Sequence, residues 1–296
     1  MRLDTANRAF LALLGVVIGA CVVIGFVGCC VIGVVVYRVA TRGTHALSAP
    51  GTVPALVLLV LLGFGAVRGS RALRRQVTAT GRLGRRVRRR IVLPSPVSLT
   101  EAANAVGLDD RVDLFDASEA CSFTWGLVRP RVAVSRGLLQ VVDRAELAAV
   151  LEHERYHVVN LDPAKVFLTR TLPLAFFYLP VLAYLHERYL TGRELAADRR
   201  AIESHGRKPL AGALFKVVAG PDWADLTSAA AIGGDSALDA RVTQLEAGTE
   251  PPMAKLSRAR LALTMLGGAA LVWSVTATLA AFGGPAQLMR TLCTGR

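Results

Sequence analysis

The chain has 296 residues, 53% of them hydrophobic, a formal net charge of +13, a mean hydropathy of +0.44 and a sequence pI near 10.4. These values exclude the composition of an ordinary soluble enzyme and point to membrane spans with basic flanks. Cys21, Cys29, Cys30, Cys121 and Cys293 have neither metal-ligand nor disulfide spacing, which leaves them as small packing residues in a reducing compartment.

Ala9 to Tyr37 carries no charged residue and exceeds the ~20 residues that a bilayer crossing needs. Gly15 and Gly19 form a GxxxG that would support close helix packing. A cleaved signal peptide ending at Ala46-Leu47-Ser48-Ala49 is the competing reading, and the apolar stretch is too long for its hydrophobic region. A second span runs from Val53 to Val67 and extends back to about residue 50, so the two spans cover about 9–37 and 50–67. Arg68, Arg71, Arg74, Arg75, Arg82, Arg85, Arg86, Arg88, Arg89 and Arg90 follow, and the positive-inside rule places them in the cytoplasm. The N-terminus is then cytoplasmic as well, 38–52 is a short external loop, and 68–94 is a basic cytoplasmic linker. A nucleic-acid reading of the arginines is set aside. They follow directly on a membrane helix without interleaved aromatics, which makes them a topology signal and an anionic-lipid contact.

Arg111-Val112-Asp113-Leu114-Phe115 and Arg131 to Ser135 alternate like short strands, and with helices on both sides they suggest a mostly helical domain holding a small sheet. Asp143-Arg144-Ala145-Glu146 has the form of a capping box, and Leu147 to Leu151 continue it as helix formers. A helix of about four turns is expected, ended by Asn160 in a left-handed conformation, with Asp162-Pro163 as N-cap and first position of the next helix. Inside it, His153-Glu154-Arg155-Tyr156-His157 reads H-E-x-x-H. Two histidines four residues apart share one helical face, so both imidazoles can bind one Zn²⁺ while Glu154 sits beside its open position. Glu154 is then the general base of metal-assisted peptide hydrolysis.

Val166 to Leu185 is nearly as apolar as a span, yet a single crossing there would part the histidines from any ligand beyond it. Arg170, Pro173 and Pro180 interrupt it, so a buried or re-entrant helical pair is expected, with the site at the cytoplasmic membrane face. A catalytic zinc takes three protein ligands and a water. Gly192 to Arg199 supplies an E-x-x-x-D pair on a second helix. Glu194 is the expected third ligand, and Asp198, one turn on, the acceptor for the free ring N–H of a ligating histidine. His186, Tyr189, Arg193, Arg199 and His205 lie near enough in sequence to donate to an oxyanion, but are read as surface or interfacial residues. Residues 220–253, with Gly220, Pro221, Gly233, Gly234, Pro251 and Pro252, suggest a loop-rich region that covers the cleft or merely connects. A third span runs from Leu261 to Gly284, and Lys255, Arg258 and Arg260 before it keep 68–260 inside.

HERYHVVNLD at 153–162 followed by ELAAD at 194–198 resembles the membrane zinc endopeptidases of the gluzincin group. Both the HtpX-like and CAAX-prenyl-protease-like peptidases and the BlaR/MecR-type membrane peptidases are similar. The resemblance covers roughly residues 95–205 and includes Ser122-Phe123-Thr124-Trp125-Gly126 and Pro130 to Leu139, similar to the strand and turn these families place beside the substrate cleft. It implies a mainly α fold with a small β-sheet, an α+β zincin-like catalytic domain joined to transmembrane helices. The membrane region would cover 1–67, the zinc metallopeptidase domain 95–258, and a C-terminal helix and tail 259–296. One Zn²⁺ would be held by His153, His157 and Glu194, with Glu154 catalytic and Asp198 in support. The resemblance also implies a protein or peptide substrate and a multi-pass plasma-membrane location with the site facing the cytoplasm. It nominates 131–135 as the edge strand that pairs with extended substrate, and it gives Asp162 a family position as well as a capping one. Quality-control proteolysis and signalling proteolysis of a repressor, with a regulatory membrane or repressor partner, both remain open. A non-catalytic membrane scaffold is the reading from another class, and the intact Glu154 argues against it.

Overall fold

Helices α1 (Thr5–Arg42) and α2 (Thr52–Arg89) open the chain in a computed structural model that describes residues 4–43, 45, 52–218 and 235–281. The arginine-bearing stretch expected as a linker is helical, because α2 continues unbroken from its apolar half to Arg89. Among the described residues two segments are long and apolar enough to cross a membrane, Thr5–Gly25 with mean hydropathy 2.3 and Ala55–Arg89 with 1.7. The expected third span coincides with the last helix, α10 (Arg258–Ala281). The tail after it and residues 46–51 of the expected external loop lie outside the described residues. Val22, Val60 and Phe64 on the two candidate spans, and Met265 and Leu266 on α10, are exposed. A Cβ added at Gly15 or Gly19 would meet nothing within 4 Å, so the GxxxG packs against no neighbour among the described residues.

The chain divides into two units: Met1–Phe10, Leu73–Arg170 and Leu185–Ala254 form one, and Leu11–Ala72, Thr171–Tyr184 and Lys255–Arg296 the other. In the second, the apolar half of α2 meets the break between α6 (Asp162–Ala175) and α7 (Val181–His205). A Cβ on Gly65 would come within 2.5 Å of the Ala175 carbonyl oxygen, and Phe64 and Phe177 meet edge to face at 5.2 Å. Helix α10 closes on the same break, with Gly267 under the Tyr178 carbonyl and Leu271 against Ala55 and Leu58. The stretch 166–185 is thus the interrupted helical pair that its prolines suggest, with Pro173 inside α6 and Pro180 just before α7.

The first unit is organised by a three-stranded sheet of β1 (Val112–Phe115), β2 (Ser122–Trp125) and β3 (Arg131–Ser135), in the order β1-β3-β2. Strand β3 pairs parallel to β1 (Val112↔Val132) and antiparallel to β2 (Thr124↔Val132). The nomination of 131–135 as an edge strand is therefore corrected: β3 is central, its hydrogen-bonding groups are taken on both sides, and β2 holds the edge. Period-2 alternation decides what each face packs. Val132 and Val134 join a core with α3 (Val97–Ala105) and α5 (Arg144–Val159), through Leu99, Ala103, Val150 and Leu151. Ala133, Phe123 and Trp125 point the other way, onto Leu83 and Val87 of α2. Val132, Val134 and Leu151 are fully buried, each worth roughly 1.5–3 kcal/mol.

The strand-to-helix corner after β3 is tight. Ser135 caps α4 (Arg136–Val141) by accepting from the Leu138 N–H at 3.0 Å, and a Cβ on Gly137 would stand only 2.0 Å from the Ser118 carbonyl oxygen. Helix α5 begins at the expected capping box, with both Asp143–Glu146 bonds at 2.8 Å. Lys216 of α8 (Arg207–Val218) adds a bond to Glu146 at 2.6 Å, and Ala149 packs on Leu210 and Ala201. The end of α5 differs from expectation. Asn160 is right-handed (φ −82°), and the left-handed residue is Leu161 (φ 54°). Residues 235–247 of the expected loop-rich region form a helix, α9 (Asp235–Ala247), while 219–234 lie outside the described residues.

Candidate metal centre

Helices α5 and α7 bring His153, His157 and Glu194 together, so that one potential ligand atom from each lies within 4.8 Å of the other two. The two Nε2 atoms are 3.2 Å apart, and Glu194 carboxylate oxygens stand 3.5 Å from His153 Nε2 and 3.8 Å from His157 Nε2. Tetrahedral ligands about 2.0–2.1 Å from a zinc ion stand about 3.3 Å from one another, so the trio is spaced for one such ion.

Each imidazole is oriented from behind. Asp198 Oδ1 lies 2.8 Å from His153 Nδ1, and Asp162 Oδ2 lies 2.6 Å from His157 Nδ1. A carboxylate at Nδ1 favours the tautomer that carries its hydrogen there and leaves the Nε2 lone pair for a metal. The placement of Asp198 matches the one expected from its E-x-x-x-D spacing. Of the two readings of Asp162, the capping one gives way: its side chain is spent on His157 and on the Tyr189 hydroxyl, which donates at 2.7 Å.

Glu154 lies on the same face of α5 and is also fixed. Ser122 Oγ donates to its Oε1 at 3.0 Å and Thr124 Oγ1 to its Oε2 at 2.7 Å. Both hydroxyls come from β2, whose alternate residues Phe123 and Trp125 anchor the opposite face. The sequence sets this strand beside the cleft only through the resemblance, and nothing in it marks either hydroxyl.

The charges form a closed set. Asp198 is fully buried, yet its carboxyl is held below the usual range: burial pushes it up, and Arg241 and His153 more than reverse this. Glu194 is held well below it by Arg193, His157, His153 and Arg241 against the opposing effect of burial. Without metal, burial favours the neutral His153, but the Asp198 hydrogen bond and charge together with Glu194 outweigh it and raise the pKa to about 9. Glu154, Asp162, Glu194 and Asp198 give four formal negative charges against the two guanidinium groups of Arg193 and Arg241. With neutral imidazoles the cluster carries a formal excess of two negative charges, which one divalent cation cancels.

Of the residues weighed as oxyanion donors, two are not on the surface. Tyr189 is fully buried on Asp162, and buried Arg193 places Nη2 3.0 Å from Glu194 Oε1. His186 bonds Thr169 at 3.1 Å, its pKa lowered to about 4 by burial and by Arg170, and Arg199 pairs with Glu250. Two contributors escaped sequence reading altogether. Arg241 of α9 grips Asp198 through two bonds, at 2.7 and 2.9 Å. Asp4 accepts from the hydroxyl of Tyr156, 152 residues away, while Ala6 and Ala9 pack on Val166, Tyr189 and Leu190. Separations of this size leave no periodic or spacing signal in the sequence.

Fold and site together define a mainly α protein with a small three-stranded sheet, two candidate membrane helices and a His-His-Glu group that could hold a metal ion. The family model described as BlaR1 peptidase M56 matches residues 43–245, and the chain belongs to that family. It is also similar to a "Protease HtpX homolog" of Methanothermobacter thermautotrophicus, 32% identical over a 112-residue alignment covering 30% of this chain and 43% of the relative. A second "Protease HtpX homolog", from Chlorobium phaeobacteroides, is 44% identical over 63 residues, covering 21% of each. The chain spans less than half the length of these curated relatives.

Proposed function

We propose that this protein is a membrane-embedded, zinc-dependent endopeptidase that cleaves membrane-associated or cytoplasmic proteins. The observation that carries the proposal is Glu154, gripped by Ser122 and Thr124 beside the His153–His157–Glu194 trio. A carboxylate held in this way by two hydroxyl donors has little freedom, and it needs little to hold a water in line for attack. A structural metal site would have no use for such a group.

The residues divide the work. His153, His157 and Glu194 would hold the zinc, which when bound supplies Lewis acidity and lowers the pKa of its water. Asp198 and Asp162 keep the imidazoles turned toward it. Glu154 takes the proton from the attacking water and returns it to the leaving amine, so the peptide bond breaks with one water consumed. The edge of β2 that does not pair with β3 offers backbone groups to an extended substrate, the task first nominated for β3. The arginines following the apolar half of α2 support a cytoplasm-facing site. Membership of the BlaR1 peptidase M56 family favours regulatory cleavage, with a repressor as substrate, over general membrane-protein clearance.

The test compares detergent-purified wild type with Glu154→Gln on an unfolded membrane-protein substrate, with bound zinc quantified in both. Cleavage by wild type alone at equal zinc is the expected result, with a loss of at least about 10³-fold, since the base and the water's alignment vanish together. Equal cleavage by both would remove Glu154 from its role, and equal zinc with no cleavage by either would favour the scaffold.

A further inference from the structure

The charged residue most closely engaged with the support of the candidate zinc site lies outside both motif helices. Arg241 of α9 places Nε 2.7 Å from Asp198 Oδ2 and Nη2 2.9 Å from Asp198 Oδ1, the two-pronged arrangement that a planar guanidinium makes with a carboxylate. Its Nη1 stands 3.7 Å from Glu194 Oε2. One side chain thus touches both the expected third ligand and the carboxylate behind His153. Asp198 is fully buried, so no solvent replaces the guanidinium if it is removed.

We infer that Arg241 is a positioning residue of the metal centre, which fixes the Asp198 carboxylate against His153 and restrains Glu194, so that metal affinity and coordination depend on α9. The inference rests on the reading that His153, His157 and Glu194 bind zinc, and goes beyond it by adding a residue 43 positions downstream of Asp198. Arg241 is not what seats α9. Gln244 donates to the Leu195 carbonyl at 3.1 Å, Ala237 is buried, and Leu245 packs against Ala149, Ala201 and Leu210. These contacts remain when Arg241 is shortened or neutralised, so a substitution there acts on the carboxylates rather than on the docking of the helix.

The fork argues for position as well as charge. Lysine would restore the positive charge but present a single ammonium in place of two parallel donors, leaving Asp198 free to rotate about the bond it keeps. A merely electrostatic role would be fully met by lysine, and a merely structural one would be indifferent to which metal probe is used.

The experiment uses the full chain in detergent, stripped of metal and titrated with Zn²⁺ against a competing chelator, and separately with Co²⁺ whose visible absorption reports coordination. Wild type, Arg241→Gln, Arg241→Lys and Arg199→Gln are compared. The last severs the Arg199–Glu250 pair, which also ties α7 to the chain following α9 but touches none of the site's carboxylates. The expected result is one zinc per wild-type chain, a roughly 10–100-fold weaker affinity and an altered cobalt spectrum in Arg241→Gln, an intermediate value in Arg241→Lys, and wild-type behaviour in Arg199→Gln. Wild-type zinc affinity and cobalt spectrum in Arg241→Gln would overturn the inference. If Arg241→Gln does not fold, Arg241→Lys decides, and wild-type affinity with an unchanged spectrum would overturn it equally. Failure of wild type itself to bind zinc, or binding that survives His157→Ala, would instead strike the metal reading on which the inference rests.

Discussion

Arginine serves opposite ends in two regions of this protein. On the last turns of α2 and just after it, Arg82, Arg85, Arg86, Arg89 and Arg90 are exposed and make no ion pair among the described residues, and exposed Arg88 lies over the Trp125 ring at 5.4 Å. At the candidate metal centre, Arg193 and Arg241 are each set against carboxylates at hydrogen-bonding distance. From Thr5 to Thr100 the chain has thirteen arginines and no acidic residue, which accounts for the whole formal net charge of +13. The remainder of the chain is formally neutral, and at Arg193 and Arg241 its charges sit in a balanced, largely buried group. An unbalanced run exposed to solvent acts through long-range fields that salt screens, whereas a balanced, desolvated set acts through geometry. Substitutions in the two regions should therefore differ in kind.

The largest effect is expected from the ligands. His157→Ala removes a proposed ligand and leaves Asp162 without its imidazole, so zinc should fall from one per chain to none after dialysis, as elemental analysis would read it. Retention of a full equivalent would mean that the trio is not the site. Next comes Asp162→Asn, which keeps the shape but loses the charge behind His157. Zinc affinity should drop roughly 10–100-fold, with Tyr189→Phe costing less because it removes only one bond to the same carboxylate. An unchanged affinity in Asp162→Asn would return that residue to a capping role.

How far each region could be read from sequence follows from the same contrast. The capping box of α5 and the H-E-x-x-H spacing are local, and spacing within one helix is sufficient to mark them, whereas the arginine run expected as a linker continues α2 as a helix. Glu194 and Asp198 stand out in the sequence because their spacing is one helical turn, and the structure sets both beside His153. Arg241, Ser122, Thr124 and Asp4 act on residues of other elements, and nothing near them in sequence marks the partner. The edge strand was misassigned for a related reason: alternation marks β3 as a strand, but whether a strand is central or at an edge depends on pairing that its own residues do not encode. The mistaken C-terminal residue of α5 is a smaller case, since asparagine favours the left-handed conformation but Leu161 adopts it where the chain turns toward Asp162.

The pH dependence sharpens the balanced side of the comparison. In the metal-free protein the His153 pKa is raised to about 9, the pull of Asp198 and Glu194 outweighing burial. His153 accordingly holds a proton at pH 7, and an incoming zinc must displace it. About one proton should leave per zinc at neutral pH, and apparent affinity should rise about tenfold per pH unit until it levels off near pH 9. Calorimetry at pH 7 in buffers of different ionisation enthalpy measures the proton directly, and heats independent of buffer would contradict the assignment.

The smallest effect belongs to the exposed run. Arg82 and Arg86 are both exposed and lie one helical turn apart, where like charges repel by about 0.2–0.5 kcal/mol. Replacing both with glutamine removes that repulsion without exposing a carboxylate, and the buried contacts of Leu83 and Val87 beneath them stay in place. Zinc content should be unchanged, and thermal stability should be equal or slightly higher at low salt. The difference should shrink as salt is raised, because the Debye length contracts from about 10 Å at 0.1 M to about 3 Å at 1 M, below the roughly 5–6 Å between neighbouring turns. A loss of more than about 1 kcal/mol, or one that persists in high salt, exceeds what exposed, unpaired charges can give. It would mean that these arginines hold structure as Arg193 and Arg241 do, and the distinction between the two regions would fail at the side where the sequence made it look simplest.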